Sequence, residues 1–212
     1  YHNIPHFLES SQIPSIPQDF FSCDVASIDD TYLQTSYTQH VENASLHVVR
    51  AFLQSHVLHM PGYDLTLDET ENDTVYRRYQ VSYASGEASY YENTLMREFV
   101  DENRVIMVVQ TVSEDEKYPN RDVKRDWLQW FVAERIDDKT TVIKAGTIAS
   151  GLRGPKGYIP IEECSTFKNE LLLTDDLFRR DDIYRRRVYD YVYRSHLYDI
   201  WLLQEFVKSY SP

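Results

Sequence analysis

Arg97-Glu98-Phe99-Val100-Asp101-Glu102-Asn103-Arg104-Val105-Ile106-Met107-Val108-Val109 is the stretch on which the fold turns. The polar triplet Asp101-Glu102-Asn103 separates two runs of strand-forming residues, so residues 93 to 100 and 104 to 113 read as a β-hairpin. Val105 to Val109 is apolar at every position. A strand with one wet face alternates, so a strand without alternation is central and covered on both sides.

Outward from this hairpin the same signals recur. Residues 75 to 84 alternate, with Val75, Arg77, Tyr79, Val81 and Tyr83 on one side. Leu65 and Leu67 alternate with polar residues. Asp68 to Asp73 reads as a solvated acidic loop, since it lacks the glycine turn and closing glutamate of a calcium loop. Residues 117 to 125 read as a charged loop. A second hairpin joins 126–136 to 140–150 through Asp137-Asp138-Lys139. Gly151 to Gly157 is a turn region. Tyr158 to Ile161 is a short edge strand, because Pro160 cannot donate to a ladder.

Helices bracket the strands. Asp29 or Asp30 caps the first. Leu33, Tyr37, Val41, Ala44, Val48 and Phe52 then recur at helical spacing, and Pro61-Gly62 stops the helix near Met60. The last element is a long helix from about 177 or 182 to 209. Its stripe is Tyr184, Val188, Tyr191, Val192, Ser195, Tyr198, Leu202 and Phe206, and a helix this apolar is expected to be largely buried. Pro5, Pro14 and Pro17 make residues 1–22 an extended lead-in or linker, with apolar anchors such as Ile4, Phe7 and Ile13. Residues 23–212 form one domain. The class is α+β: a helix, a curved antiparallel sheet, and a long C-terminal helix that covers the sheet's second face. A curved sheet wrapped on a long helix leaves a space, and such spaces are typical ligand sites.

Composition narrows the partners. The chain has 212 residues, 42% hydrophobic and 26% charged, with a net charge of −12. That acidity repels phosphate backbones and anionic membranes. No stretch is long and apolar enough to span a bilayer. Cys23 and Cys164 stand apart from each other and from metal-type spacings, which suits a reducing compartment, cytoplasmic or nuclear. A secreted protein is the alternative, and Asn43-Ala44-Ser45 and Asn72-Asp73-Thr74 match glycosylation sequons. The chain opens at Tyr1, which fits a processed protein or a piece of a longer one. Tyrosine, at 17 residues, suits half-buried strands and pocket walls.

No catalytic motif is readable, and no cofactor or metal is expected. His47, His56 and His59 share the first predicted helix, but a zinc site needs a third ligand and a supporting shell. Gly151 to Gly157 lacks phosphate-loop order. Arg179, Arg180 and Arg185 to Arg187 alternate with aspartates, as on a salt-bridged helix face. Arg97 and Arg104 flank the first hairpin, either facing a ligand carboxylate or paired with Glu98 or Glu102.

The segment Arg97 to Val109 resembles a recurring segment of a large oomycete family described as mating-specific-protein-like or START-like, some of whose members follow a basic leucine-zipper region. That segment runs arginine-x-phenylalanine, an acidic turn, arginine, then an apolar strand. The C-terminal helix, with Val188, Val192, Ser195, Asp199-Ile200 and Leu202-Leu203, is similar more loosely. The family usually has tryptophan near position 109 or 110, where this chain has Val109-Gln110. The resemblance implies a START-like helix-grip fold and supplies no ligand.

Three readings of function follow. The first is a non-enzymatic module binding an apolar small molecule or lipid between sheet and C-terminal helix, with Met107, Val109, Trp130, Val132, Ile143, Tyr191, Ser195 and Leu202 as its wall. A one-residue slip in register reverses such a face assignment. The second is a regulatory or protein-interaction domain, nuclear or a secreted effector, with a solid core. The third is a cyclase- or hydratase-type enzyme, which requires a buried histidine bonded to a carboxylate at the cavity floor.

Overall fold

The computed structural model describes residues 11–28, 31–58, 64–71, 73–82, 89–120, 123–164 and 167–210. Ten strands and four helices are assigned among them. The strands are β1 (Phe20–Ile28), β2 (Thr31–Glu42), β3 (Asp64–Glu71), β4 (Thr74–Ser82), β5 (Ser89–Val100), β6 (Arg104–Thr111), β7 (Trp127–Asp137), β8 (Thr140–Ser150), β9 (Arg153–Gly154) and β10 (Gly157–Tyr158). The helices are α1 (Leu46–Leu58), α2 (Ile161–Cys164), α3 (Lys168–Leu171) and α4 (Leu177–Tyr210). Eight strands form one sheet in the order β1-β2-β8-β7-β6-β5-β4-β3, every pairing antiparallel. With the long α4 packed on it, this is the α+β helix-grip architecture.

The hairpin that opened the argument is present, and its turn chemistry explains it. Asp101 accepts a bond from the Asn103 N–H at 3.0 Å through its side chain, while its own N–H donates to the Arg104 carbonyl at 2.9 Å. That is the local bonding an aspartate offers a tight turn. β6 sits in mid-sheet, and both its faces are covered. Val105, Met107 and Val109 join a core with Val49, Phe52 and Leu53 of α1 and Leu203 of α4. Ile106 joins Trp130 and Val132 in a second core on the opposite face.

α1 and α4 cover the same face, and the described end of the lead-in packs on the other. Ile13 packs on the Ile106–Trp130–Val132 cluster. The fully buried Gln39 donates its amide to the carbonyls of Ile16 and Gln18, both at 2.9 Å, which ties the lead-in to the back of β2. The end of the stretch read as lead-in, Phe20 to Ser22, enters the sheet as the start of β1.

Four expectations are corrected. The strand read at Tyr158 to Ile161 is only Gly157–Tyr158, paired with Arg153–Gly154, and Ile161 begins α2. Residues 31–42 are strand β2, not helix. Leu33, Tyr37 and Val41 are spaced by four, which places them on one face of a helix and equally on one face of a strand. Thr35 and Thr38 between them favour the strand. The helix starts only at Leu46, where the Val49 N–H donates to the Ser45 carbonyl. The acidic run is also not a loop: Asp64–Glu71 is an edge strand. Asp68 meets Arg77 at 3.0 Å and Glu69 meets Lys117 at 2.9 Å, so its carboxylates have counter-charges. Charge on an edge strand also discourages edge-to-edge pairing. Finally, α4 is not largely buried. Val188 and Leu203 are its buried residues, while Tyr191, Tyr198 and Trp201 are each more than half exposed. Asp29, Asp30, His59, Met60, Ile4 and Phe7 lie outside the described residues, as does the Cys164 side chain.

Candidate functional site

β2, β8 and β7 lie side by side with short side chains facing the helices. Ser36 pairs with Thr147, and Thr147 with Gln129, in one cross-strand row. Thr38, Ala145 and Phe131 form the next row, and His40, Ile143 and Ala133 the one after. Serine, alanine and threonine do not reach the helix above, so a cavity of about 310 Å³ remains. Its roof is Tyr191, Val192, Ser195, His196, Asp199, Ile200 and Leu203 of α4, and its end wall is Phe52, Leu53 and His56 of α1. Gln34 and Tyr191 are shared with a second cleft of about 890 Å³, walled by Tyr32, Leu152, Ile161, Tyr184 and Val188. The two together run under α4.

α4 is fixed over the floor by its aromatic side. Phe21 of β1 touches Tyr189, Tyr193 and His196, with ring centroids 5.4, 5.0 and 5.5 Å away. Tyr32 meets Tyr184 at 4.7 Å, and Arg185 donates to the Val25 carbonyl. At the far end Phe206 packs edge-on to Phe52.

Of the titratable groups, His40 on the cavity floor has the histidine–carboxylate contact that the enzyme reading requires, with its ring fully engaged. His40 has Asp19 on Nδ1 at 2.9 Å and Glu42 on Nε2 at 3.1 Å, so neither ring nitrogen is left for a ligand. His56 Nε2 lies 3.3 Å from Asp199, whose side chain is half exposed at the rim rather than on the floor. Burial pushes the His196 imidazolium below its ordinary range, and Asp199 only partly opposes this. The Cys23 thiol is pushed up to about 11 by burial and then by Asp24, which disfavours the thiolate. Among the described residues no cluster of three or more potential metal ligands exists.

The residues named from sequence divide into three groups. Ile143, Tyr191 and Ser195 line the cavity. Met107 and Val109 share that face but are packed in the core with α1, and Leu202 packs against the same core beside the lining Leu203. Trp130 and Val132 lie on the opposite face. The pairing of Met107 with Phe131 sets this parity: it brings Gln129 and Phe131 inward and sends Trp130 outward. Sequence reasoning missed Gln34, Ser36, Thr38, Gln129, Thr147 and His196. Their signal is the run of small polar residues in β2 and β8.

Arg97 and Arg104 do not reach this cavity. Arg97 stacks over Phe99 at 5.1 Å, and Arg104 pairs with Asp101 at 3.3 Å. Glu98 is taken by Arg50 at 2.7 Å, at a separate cleft of about 680 Å³ that Met107 also lines. The arginines of α4 are salt-bridged: Arg180 to Glu162, Arg185 to Asp181 and Arg187 to Glu170.

No family model matches the chain, and no curated protein does. Among solved structures it is similar to human STARD10, with 12% identity over 81% of this chain and 76% of that one and a TM-score of 0.51. It is similar also to the human StarD13 (DLC2) lipid transfer and protein localization domain, with 13% identity over 79% and 89% and a TM-score of 0.43. A norcoclaurine synthase from Thalictrum flavum matches at 14% identity over 57% and 71%, with a TM-score of 0.32. The likeness to STARD10 shows the fold, a START-like helix grip.

Proposed function

We propose that this chain is a non-enzymatic ligand-binding module whose small-molecule ligand lies between the sheet and α4. The observation that carries this reading is the 310 Å³ cavity lined by residues of β2, β7, β8, α1 and α4. That volume falls at the lower end of the range for small-molecule sites, about 300–1,000 Å³. The fold shared with STARD10, a sheet gripping a long C-terminal helix, supports this reading. Ile143, Leu203, Ile200, Phe52 and Leu53 supply an apolar wall, Ser195 is part of the roof, and Tyr191 stands where the cavity meets the second cleft. Native mass spectrometry of purified protein tests the reading, with a bound small molecule as the expected result. A protein that carries no ligand and takes none up from a lipid extract overturns it.

A second reading has its own observation. Leu173, Leu177 and Phe178 are 84%, 71% and 87% exposed where α4 begins. Apolar side chains so far into water suit a protein partner. This keeps the regulatory reading, nuclear or secreted, with membership of the oomycete mating-specific-protein-like family and a leucine zipper upstream as its finer form. Among the described residues, no helix is long and apolar enough to cross a membrane.

A further inference from the structure

The cavity has two unlike ends. At the α1 end, Phe131 and Ile143 of the floor face Phe52, Leu53, Ile200 and Leu203. At the other end the floor is Gln34, Ser36, Gln129 and Thr147, with Thr38 at the boundary. None of these five side chains bonds to another described residue, although Ser36 is only 7% exposed. Thr141 of β8, by contrast, is satisfied by the Ala44 carbonyl at 2.8 Å, while on the far face Gln39 Oε1 and Trp130 Nε1 are buried without a partner among the described residues. An apolar occupant would strip water from these side chains without replacing its bonds, which is costly, so the cluster fits an occupant that supplies them. Ser36, Thr147 and Gln129 lie on adjacent strands, so their row spans about 10 Å at the usual strand spacing.

Charge narrows the occupant further. Neither lysine nor arginine is among the described residues lining this cavity. Its one aspartate, Asp199, is already engaged by His56. A buried carboxylate or ammonium without a counter-ion is strongly disfavoured.

We propose that the cavity selects a compact, uncharged, amphipathic molecule, with its hydroxyl or carbonyl oxygens over Ser36, Thr147 and Gln129 and its hydrocarbon end against Phe52, Ile143 and Leu203. Fatty acids and phospholipids are thereby disfavoured. This rests on the cavity being a ligand site. Ser36 and Thr147 offer a donor and an acceptor each, and the Gln129 amide offers both, so the polar end reads hydroxyl and carbonyl groups alike.

The test uses N-phenyl-1-naphthylamine, an uncharged probe that fluoresces in apolar surroundings, displaced at pH 7.5 by three ten-carbon compounds. These are geraniol (an alcohol), limonene (a hydrocarbon) and geranic acid (a carboxylate). Geraniol is expected to compete about tenfold more tightly than limonene, the worth of one or two good hydrogen bonds, and geranic acid to be weakest. Gln129→Leu and, separately, the milder Ser36→Ala narrow the geraniol preference while the probe still binds. Probe binding with limonene equal to or better than geraniol overturns the polar-end assignment and leaves the ligand-binding reading standing. Tightest competition by geranic acid overturns the uncharged class in the same way. Absence of probe binding to folded wild-type protein overturns both readings.

Discussion

The indole of Trp130 stands so close over Gly146 that a Cβ at that glycine would meet its ring carbons at 2.5 Å. The two residues pair across β7 and β8, and Trp130 is fully buried, with the lead-in residue Ile13 packed on its cluster. Gly146→Ala is therefore expected to destabilise the domain by about 1–3 kcal/mol, the usual cost of overpacking a filled core. A shift of the urea midpoint at unchanged slope reports it. An unchanged midpoint shows that the indole has room to move.

Leu203 and Tyr191 separate the two roles of α4. Leu203 is 3% exposed in the main core and Tyr191 66% exposed at the cavity mouth. Leu203→Ala is expected to cost about 2–5 kcal/mol. Tyr191→Ala stays within about 0.5 kcal/mol, as surface changes do. Chemical denaturation of both variants checks this, and equal losses would contradict the packing described.

His196 gives a pH dependence whose sign is fixed by its burial. Its folded-state pKa lies below the ordinary 6.5, chiefly through desolvation, with Asp199 opposing and His40 assisting. The unfolded chain therefore takes up the proton first as pH falls. Stability from this residue is complete above about 6.5 and declines as pH drops from there through the folded-state pKa. His196→Phe keeps an aromatic ring on Phe21 and removes the titration. Thermal melts between pH 7.5 and 5 are expected to show a shallower loss for this variant than for wild type. Parallel curves refute the assignment.

Glu92 is a buried carboxylate outside the ligand cavity, 2% exposed on the inner face. It accepts from the Trp127 indole N–H and the Tyr90 hydroxyl, both at 3.1 Å, and Arg125 lies 3.6 Å away. Glu92→Leu removes the acceptor of the indole N–H and the carboxylate beside Arg125, and is expected to cost about 3–5 kcal/mol. Glu92→Gln keeps an acceptor and costs less. Denaturant midpoints of the two variants are the measurement, and a Leu variant as stable as the Gln one removes the network from the stability account.

The sheet was legible in the sequence wherever one period alone fits. The β5–β6 turn and the β7–β8 hairpin are fixed by short polar turns that open on aspartate between unambiguous strands, and both stand where they were expected. β2 was not legible, because Leu33, Tyr37 and Val41 satisfy a period of four, a multiple of the strand repeat and close to the helical one. The cavity floor was lost at the same point. Ser36 and Thr38 read as the polar flank of a helix, and the parity of β7 is set only by its pairing with β6, a long-range fact. Ile143, Tyr191 and Ser195 were legible as lining residues because the apolar character of β8 and the stripe of α4 do not depend on that pairing.

The pairing of β2 with β8 has a consequence for how the chain acquires its shape during synthesis. Ala44, just past β2, and Thr141, the second residue of β8, are bonded across 97 positions of sequence. At about 5–20 residues per second the ribosome takes roughly 5–20 s to supply that separation. The β1–β2 hairpin emerges first and waits with one edge unpaired, a contact pattern that slows folding and exposes strand edges to other chains. The floor beneath Ser36 and Thr147 is joined only when β8 docks, so a ligand meets no surface to bind on the half-made chain.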